Sequence, residues 1–320
     1  MKIVVLDGYT LNPGDLSWDG LSHFASAGEF TCFERTTENE LFSRAKEAEI
    51  LFTNKTHISA DILSKLPKLS YIGVLATGTN VVDLLAAKHH GVVVTNVPGY
   101  GPDAVAQMVF AHILHHTQQV AAHDRAVVAG AWTECEDFCF TLNPLQSLKG
   151  KTLGLMGYGA IGQQVANIAL AFGMKVLVNT RTPRFDLPIG VKWSRLDEMI
   201  PLVDILSLHC PLTDTTDKII NNALLQSMRS TAILINTARG GLIDEAALSQ
   251  ALLDGEIAAA GVDVLSTEPP QKDNPLLTAV NISISPHNSW ATRESRQNLL
   301  NIAIENVAAF LSGKARNRVN

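Results

Sequence analysis

Short apolar runs rich in β-branched residues alternate with amphipathic stretches almost from one end of this chain to the other, and that rhythm restricts the fold more than any other feature. The first series is IVVL at 3–6, EILF at 49–52, YIGVL at 71–75 and VVVT at 92–95. The second is TLGLMG at 152–157, KVLVN at 175–179, DILSL at 204–208, AILIN at 232–236, AAGVDVL at 259–265 and ISISP at 282–286. Alternation of this kind predicts α/β architecture with parallel sheets. The near-continuous hydrophobicity of each run predicts strands buried on both faces, as in doubly wound sheets. A long helix is expected over 103–119, started by Pro102-Asp103, followed by a looser stretch with Gly130, Trp132 and Asn143-Pro144. The segment 290–311 reads as one last helix with no later strand to cover it, so it is expected to return to the first domain. The second domain, 101–287, would then be inserted into a first domain made of 1–100 and 288–320.

The chain has 320 residues, enough for two cores, and its 46% hydrophobic and 18% charged content is that of an ordinary globular protein. A net charge of −6 argues against a nucleic-acid partner, which needs clustered Lys and Arg. The apolar run at 3–6 is broken by Asp7-Gly8, too short for a secretory signal, and no uncharged run approaches the roughly 18 residues of a membrane span. A cytoplasmic protein without membrane association is the expectation. The cysteines, Cys32, Cys135, Cys139 and Cys210, are too scattered for a disulfide framework or a structural zinc site, so free thiols and no metal are expected.

Gly157-Tyr158-Gly159-Ala160-Ile161-Gly162 follows a predicted strand, opens a predicted helix over 160–172, and is followed by another strand at 175–179. That context turns a weak glycine pattern into a dinucleotide-binding fingerprint. The first glycine makes the tight turn, the second lets the backbone approach the pyrophosphate, and the third lets helix and strand pack closely. The helix N-terminus adds amide donors and a positive dipole. About 20 residues past the first glycine, an acid normally takes the adenosine ribose hydroxyls. Here Thr180-Arg181 stand instead, with Arg184 nearby. Without a carboxylate to repel it, a 2′-phosphate is accommodated, which favours NADP(H); with both arginines merely solvated, NAD(H) binds through the remaining contacts.

Three late segments place a reactive residue directly after an apolar strand: Asn236-Thr237-Ala238-Arg239-Gly240-Gly241, Gly261-Val262-Asp263-Val264 running on to Glu268-Pro269-Pro270, and Ser285-Pro286-His287-Asn288. Strand ends are where open α/β sheets bind ligands. An arginine, a glutamate and a histidine gathered there suit a 2-oxo acid: a planar fork for its carboxylate, a proton donor, and a carboxylate to tune that donor. With these residues, and with VLDGYTLNPGDLSW, LATGTNVVDL, GYGAIG, LHCPLTDTT, NTARGGLIDE, GVDVLSTEPP and SPHNSW in order along the whole chain, the sequence resembles the D-2-hydroxyacid dehydrogenases, in particular the glycerate dehydrogenase (hydroxypyruvate reductase) branch.

The resemblance implies a Rossmann-type dinucleotide-binding domain inserted into a flavodoxin-like substrate domain, and a homodimer joined through the 119–148 stretch. It implies that His287 is the general acid and base, that Glu268 is hydrogen-bonded to it, and that Arg239 binds the substrate carboxylate and polarises the carbonyl. It further implies that Ala76, Thr77 and Gly78 cradle that carboxylate, that Asp263 holds the nicotinamide carboxamide, and that Cys210, Pro211, Thr216 and Thr237 line the nucleotide with Gly157, Gly159, Ala160, Ile161, Gly162, Thr180 and Arg181. Pro102 and Gln107 depart from the Thr and Glu that many relatives carry there. The implied reaction is reduction of hydroxypyruvate to D-glycerate, and of glyoxylate to glycolate. Other readings are a dehydrogenase for phosphoglycerate or 2-oxo-isocaproate, or a dinucleotide-sensing protein of the corepressor type on the same scaffold.

Taken singly, Arg239 is also readable as a helix-capping arginine, Glu268 as the polar residue of a Pro-Pro turn and His287 as a turn histidine. His112, His115 and His116 share helix faces that suit a metal, yet ordinary surface or interface histidines explain them as well. Trp290 is placed either to line the substrate pocket or to staple the last helix to its core. Cys210 has no base beside it and reads as pocket wall rather than nucleophile.

Overall fold

A computed structural model describes residues 1–314 and 316–320. The chain divides into two compact units, Met1–Gly101 with Trp290–Asn320, and Pro102–Ser289. In the first, strands β1 (Ile3–Val5), β2 (Phe30–Cys32), β3 (Ile50–Thr53), β4 (Tyr71–Val74) and β5 (Val93–Thr95) pair in the order β2-β1-β3-β4-β5. Every pairing is parallel. Because successive side chains alternate between faces, Val4, Leu51, Ile72 and Val94 enter one core while Ile3, Ile50, Phe52 and Tyr71 enter the other. The last helix, Arg293–Leu311, covers the second of these faces with Leu299, Leu300, Ala303 and Val307. Trp290 packs against the same core, edge-on to Tyr100 with ring centroids 6.2 Å apart, so within this unit it acts as the staple.

In the second unit β6 (Thr152–Met156), β7 (Lys175–Asn179), β8 (Val191–Trp193), β9 (Ile205–Leu208), β10 (Ile233–Asn236), β11 (Ala259–Val262) and β12 (Ile282–Ile284) form an all-parallel sheet ordered β12-β11-β10-β9-β6-β7-β8. The winding reverses between β6 and β9, which makes their shared C-terminal crevice the topological switch point. The two sheets have the strand orders of flavodoxin-like and Rossmann-type folds respectively.

Two strands absent from the sequence expectation, β2 and β8, are the outermost strands on their side of each sheet. Each is three residues long, with the polar residues Thr31 and Lys192 at its centre, as edge strands are when they avoid pairing with other chains. The helix expected over 103–119 spans Pro102–Gln118 and stops where Gln119 adopts φ 52°. A further helix, Val120–Val128, opens the stretch expected to be looser; it buries none of its residues, so no apolar face marks it in the sequence. The second unit runs to Ser289, two residues past the 287 expected, because Asn288 and Ser289 are tied by hydrogen bonds to Asp263 at the end of β11.

The long helix lies over β10 and β11. His112 and His116, one turn apart, face the sheet: His116 Nε2 is 2.9 Å from the Ala260 carbonyl and 3.0 Å from Ser283 Oγ. Burial lowers the proton affinity of both rings, that of His116 to about 4. Both are therefore neutral in the folded protein at pH 7 and become protonated near 6.5 once unfolded. Between those values the unfolded chain binds more protons, so stability is complete above about pH 6.5 and declines as pH falls towards 4. Melting temperature should accordingly fall between about pH 7 and 5, less steeply in His116→Gln; identical slopes for the two proteins would refute the assignment.

Candidate active site

Four glycines of the second unit separate what the fold requires from what a ligand requires. Gly157 has φ 103°, and a Cβ there would lie 2.5 Å from the His209 carbonyl oxygen at the end of β9. Only glycine lets the β6 turn close against β9. At Gly162 a Cβ would lie 2.5 Å from Gly157 O, so this residue sets the approach of the helix Ala160–Ala171 to its own turn. At Gly240 a Cβ would sit 1.9 Å from the Leu265 carbonyl carbon, which presses the arginine-bearing loop backbone-to-backbone onto the loop after β11. Gly159 differs from all three. Its φ is −79°, open to any residue, and a Cβ there would meet nothing within 4 Å. Neither conformation nor packing explains that glycine; close approach of a ligand to the helix N-terminus does, and it is where a pyrophosphate would rest.

The remaining candidates for the nucleotide surround this switch point unevenly. Ala160 and Ile161 form the first helical turn. Thr180, at the end of β7, donates its hydroxyl to Thr182 O at 2.7 Å. Arg181 is exposed and makes no hydrogen bond or ion pair among the described residues, whereas Arg184 is engaged with Asp186 at 2.9 Å and lies 5.7 Å over the Tyr158 ring. Cys210 and Pro211 follow β9, and burial raises the Cys210 thiol above its ordinary value, the reverse of what a nucleophilic thiolate needs. Thr216 donates to Pro211 O at 2.7 Å and accepts from Thr213 N at 2.8 Å, so its hydroxyl shapes the 211–216 loop. Thr237 is 8% exposed and its buried Oγ1 has no hydrogen-bond partner among the described residues.

Three loops at the C-terminal ends of β10, β11 and β12 carry the polar cluster, and adjacent parallel pairing brings them side by side. In the first, Asn236 braces the turn by donating to Arg239 O at 2.9 Å and accepting from Ala238 N at 3.0 Å. The Arg239 guanidinium is exposed, touches the Ala238 carbonyl at 2.6 Å and has no carboxylate partner among the described residues. In the second, Glu268 Oε1 accepts from Leu265 N at 3.0 Å, which aims Oε2 at His287 Nδ1, 2.5 Å away. Ser266 is clamped by Glu245, whose carboxylate takes its amide at 2.7 Å and its hydroxyl at 2.8 Å.

In the third loop His287 adopts φ 49°, a left-handed conformation uncommon for a residue with a side chain. Its amide donates to Asp263 O at 2.8 Å and Ser285 O at 3.0 Å. The Asp263 carboxylate, 1% exposed, accepts from Ser285 Oγ at 2.5 Å, from the amides of Asn288 and Ser289 at 3.0 Å each, and from Ser289 Oγ. A carboxylate has about four acceptor positions, so this one is spent on the histidine's own turn. Two of those donors are backbone amides and two are serine hydroxyls, all from residues 285–289. The roles of Ser285, Ser289 and Glu245 are not legible in the sequence, because their hydrogen bonds join segments about 20 or more residues apart, whereas Asn236 braces its own turn.

In the first unit, residues 76–78 follow β4. Thr77 donates to Val97 O at 2.9 Å, and Asn96 donates to Thr77 O at 2.8 Å, so the loop is held by the end of β5. Its neighbour, the loop after β3, is held by Asp7, which accepts the amides of Asn54, Lys55 and Thr56 at 2.8, 2.6 and 2.6 Å.

A glycine cradle at the switch point of a Rossmann-type sheet, with an imidazole-carboxylate pair and an arginine at neighbouring strand ends, defines an oxidoreductase that uses a nicotinamide dinucleotide. Comparison with known proteins specifies the class. Residues 110–289 match the family described as D-isomer specific 2-hydroxyacid dehydrogenase, NAD binding domain. A hydroxypyruvate reductase of Blautia hydrogenotrophica is 44% identical over 325 residues, covering 100% of both chains. A glycerate dehydrogenase of Methylorubrum extorquens is 39% identical, covering 99% of this chain and 98% of its own. A solved acyclic imino acid reductase in complex with NADPH and D-Arg superposes with a TM-score of 0.86 at 31% identity, covering all of both chains. The chain belongs to the D-isomer specific 2-hydroxyacid dehydrogenase family. No helix among the described residues is long and apolar enough to cross a membrane.

Gly159 and Gly240 should respond in opposite ways to the same substitution. Gly159→Ala should leave stability within about 0.5 kcal/mol of the parent while weakening dinucleotide binding by about tenfold or more, measured by titration calorimetry. Gly240→Ala should cost about 3 kcal/mol in chemical denaturation, because backbone rather than a side chain must give way. Equal behaviour of the two variants in both assays would overturn the distinction.

Proposed function

We propose that this protein reduces hydroxypyruvate to D-glycerate, and glyoxylate to glycolate, with NADPH preferred over NADH. The observation that carries the reading is the 2.5 Å contact of His287 Nδ1 with Glu268 Oε2, on the loops after β12 and β11, next to the β10 loop whose Arg239 has no carboxylate partner among the described residues. The full-length likeness to proteins named hydroxypyruvate reductase and glycerate dehydrogenase supports the substrate.

With Nδ1 committed to Glu268, proton exchange with substrate falls to Nε2 of His287. Its proton passes to the carbonyl oxygen as that oxygen gains charge, and in the reverse direction the same nitrogen takes the hydroxyl proton. The nicotinamide, when bound, supplies or receives the hydride at the 2-carbon. Arg239 offers a planar fork to the substrate carboxylate and a positive charge to the developing alkoxide. Glu268, itself fixed by Leu265 N, holds the imidazole in one orientation. The 76–78 loop of the first unit is the second candidate for the carboxylate, through its backbone amides.

Arg181 is the candidate reader of a ribose 2′-phosphate, since Arg184 is already paired with Asp186. The solved relative that holds NADPH supports the same preference. A homodimer is proposed through 119–148, where Val128 and Phe138 are 82% and 89% exposed beside Trp132 and Leu145. Light scattering should return twice the chain mass, and a monomer at micromolar concentration would reject that interface.

The functional test is steady-state oxidation of NADPH and NADH with hydroxypyruvate, glyoxylate, pyruvate and 2-oxo-isocaproate. Hydroxypyruvate should give the highest kcat/KM. Absence of turnover with every acid would favour a dinucleotide-sensing role and end the enzymatic reading. His287→Ala should lower kcat by about 100-fold or more with dinucleotide affinity unchanged, and an unaltered kcat removes His287 from the chemistry. In Arg181→Asp the preference should move towards NADH; a constant NADPH/NADH ratio would show that the ribose is read elsewhere.

A further inference from the structure

Buried and half-buried polar groups beneath the histidine loop form one continuous chain within the second unit. His116 Nε2 is 3.0 Å from Ser283 Oγ, which is 2.7 Å from His112 Nδ1; His112 Nε2 is 3.1 Å from Ser285 Oγ, which is 2.5 Å from Asp263 Oδ1. The chain runs from the long helix Pro102–Gln118 to the carboxylate that binds the turn of His287. The spacings explain its geometry: His112 and His116 are four apart on one helix face, and Ser283 and Ser285 are two apart on one strand face. Gly261 lies beneath His112, where a Cβ would come within 2.7 Å of the His112 Cβ and 2.8 Å of its ring, so the strand carries no side chain that would hold the ring off.

Proton counting gives the chain a single direction. The Asp263 carboxylate only accepts, so Ser285 spends its one proton on it. Ser285 Oγ must then accept from His112, which puts the proton of that neutral ring on Nε2. Nδ1 of His112 is therefore an acceptor and takes the proton of Ser283. Ser283 Oγ in turn accepts from His116 Nε2, whose hydrogen is shared with the Ala260 carbonyl, itself only an acceptor. From Ser283 onward every hydrogen has one place, and each points towards Asp263. Successive bonds in such a chain polarise one another, which strengthens the last one.

We infer that His112 is a positioning residue: acting through Ser285 and Asp263, it holds the 287–289 backbone in the left-handed turn that presents His287. His112 touches neither substrate nor cofactor in this role. The inference rests on the assignment of His287 as acid and base, yet its first consequence is structural and is measured without turnover.

In Ser285→Ala and in the volume-conserving His112→Leu, amide hydrogen exchange at 287–289 should accelerate about tenfold, with the helix Ala160–Ala171 unchanged. With hydroxypyruvate, each variant should lose about tenfold in kcat, with KM and dinucleotide Kd within about twofold. Because both act on one chain, the double variant should be no worse than either single variant. Ser285→Thr, which keeps the hydroxyl, should restore parental exchange and kcat. Parental exchange at 287–289 in both single variants, multiplicative losses in the double variant, or failure of Thr to rescue would each overturn the inference. If the parent turns over no 2-oxo acid, the functional reading fails while the exchange experiment still decides this one.

Discussion

A carboxyl group buried at the end of β11 organises the loop that carries His287. Asp263 is 1% exposed, and an ionised carboxylate removed from water is tolerated only when its acceptor sites are filled. The chain fills them with two amides and two hydroxyls drawn from residues 285–289. His287 lies inside that span, so the same bonds that stabilise the charge impose φ 49° on the histidine. A backbone conformation that costs energy is sustained by over-determined surroundings, and here the surroundings are identifiable.

The first unit uses the same device. Asp7, 7% exposed at the end of β1, accepts three consecutive amides of the loop after β3 and the Thr56 hydroxyl. In both sheets a buried acid at a strand's C-terminal end ties down the loop of another strand. Parallel sheets place all such ends on one edge, so bracing of this kind stiffens the edge at which ligands bind. Arg296 in the last helix is likewise satisfied, by a two-pronged contact with Asp15 at 2.6 and 2.7 Å and by the Leu11 carbonyl at 3.0 Å.

Backbone-to-backbone approach does the rest. Gly240 seats the Arg239 loop on Leu265 and Ser266, Glu268 reaches back to Leu265 N, and His287 is joined to Glu268. Arg239, Glu268 and His287 are far apart in sequence, and this succession of short contacts links the loops that carry them. None of it involves large apolar burial. The cores under the sheet supply the stability, and the rim supplies position.

By itself the sequence determined the parallel α/β class, because strands buried on both faces leave unbroken apolar runs, and it located the glycine turn, because strand, turn and helix are contiguous. Family membership was equally legible in ordered local segments such as NTARGGLIDE and SPHNSW. The edge strands β2 and β8 were not, since three residues with a polar one at the centre leave no hydrophobic period to read, nor was the helix Val120–Val128, which buries nothing. Only the tertiary structure decided that Asp263 serves the histidine's turn, that His112 and His116 hydrogen-bond to serines on β12 and just beyond it, and that Gly159, alone of the four glycines compared, faces open space. Those facts depend on which strand lies beside which and on where a neighbour's backbone stops, and a linear pattern carries neither.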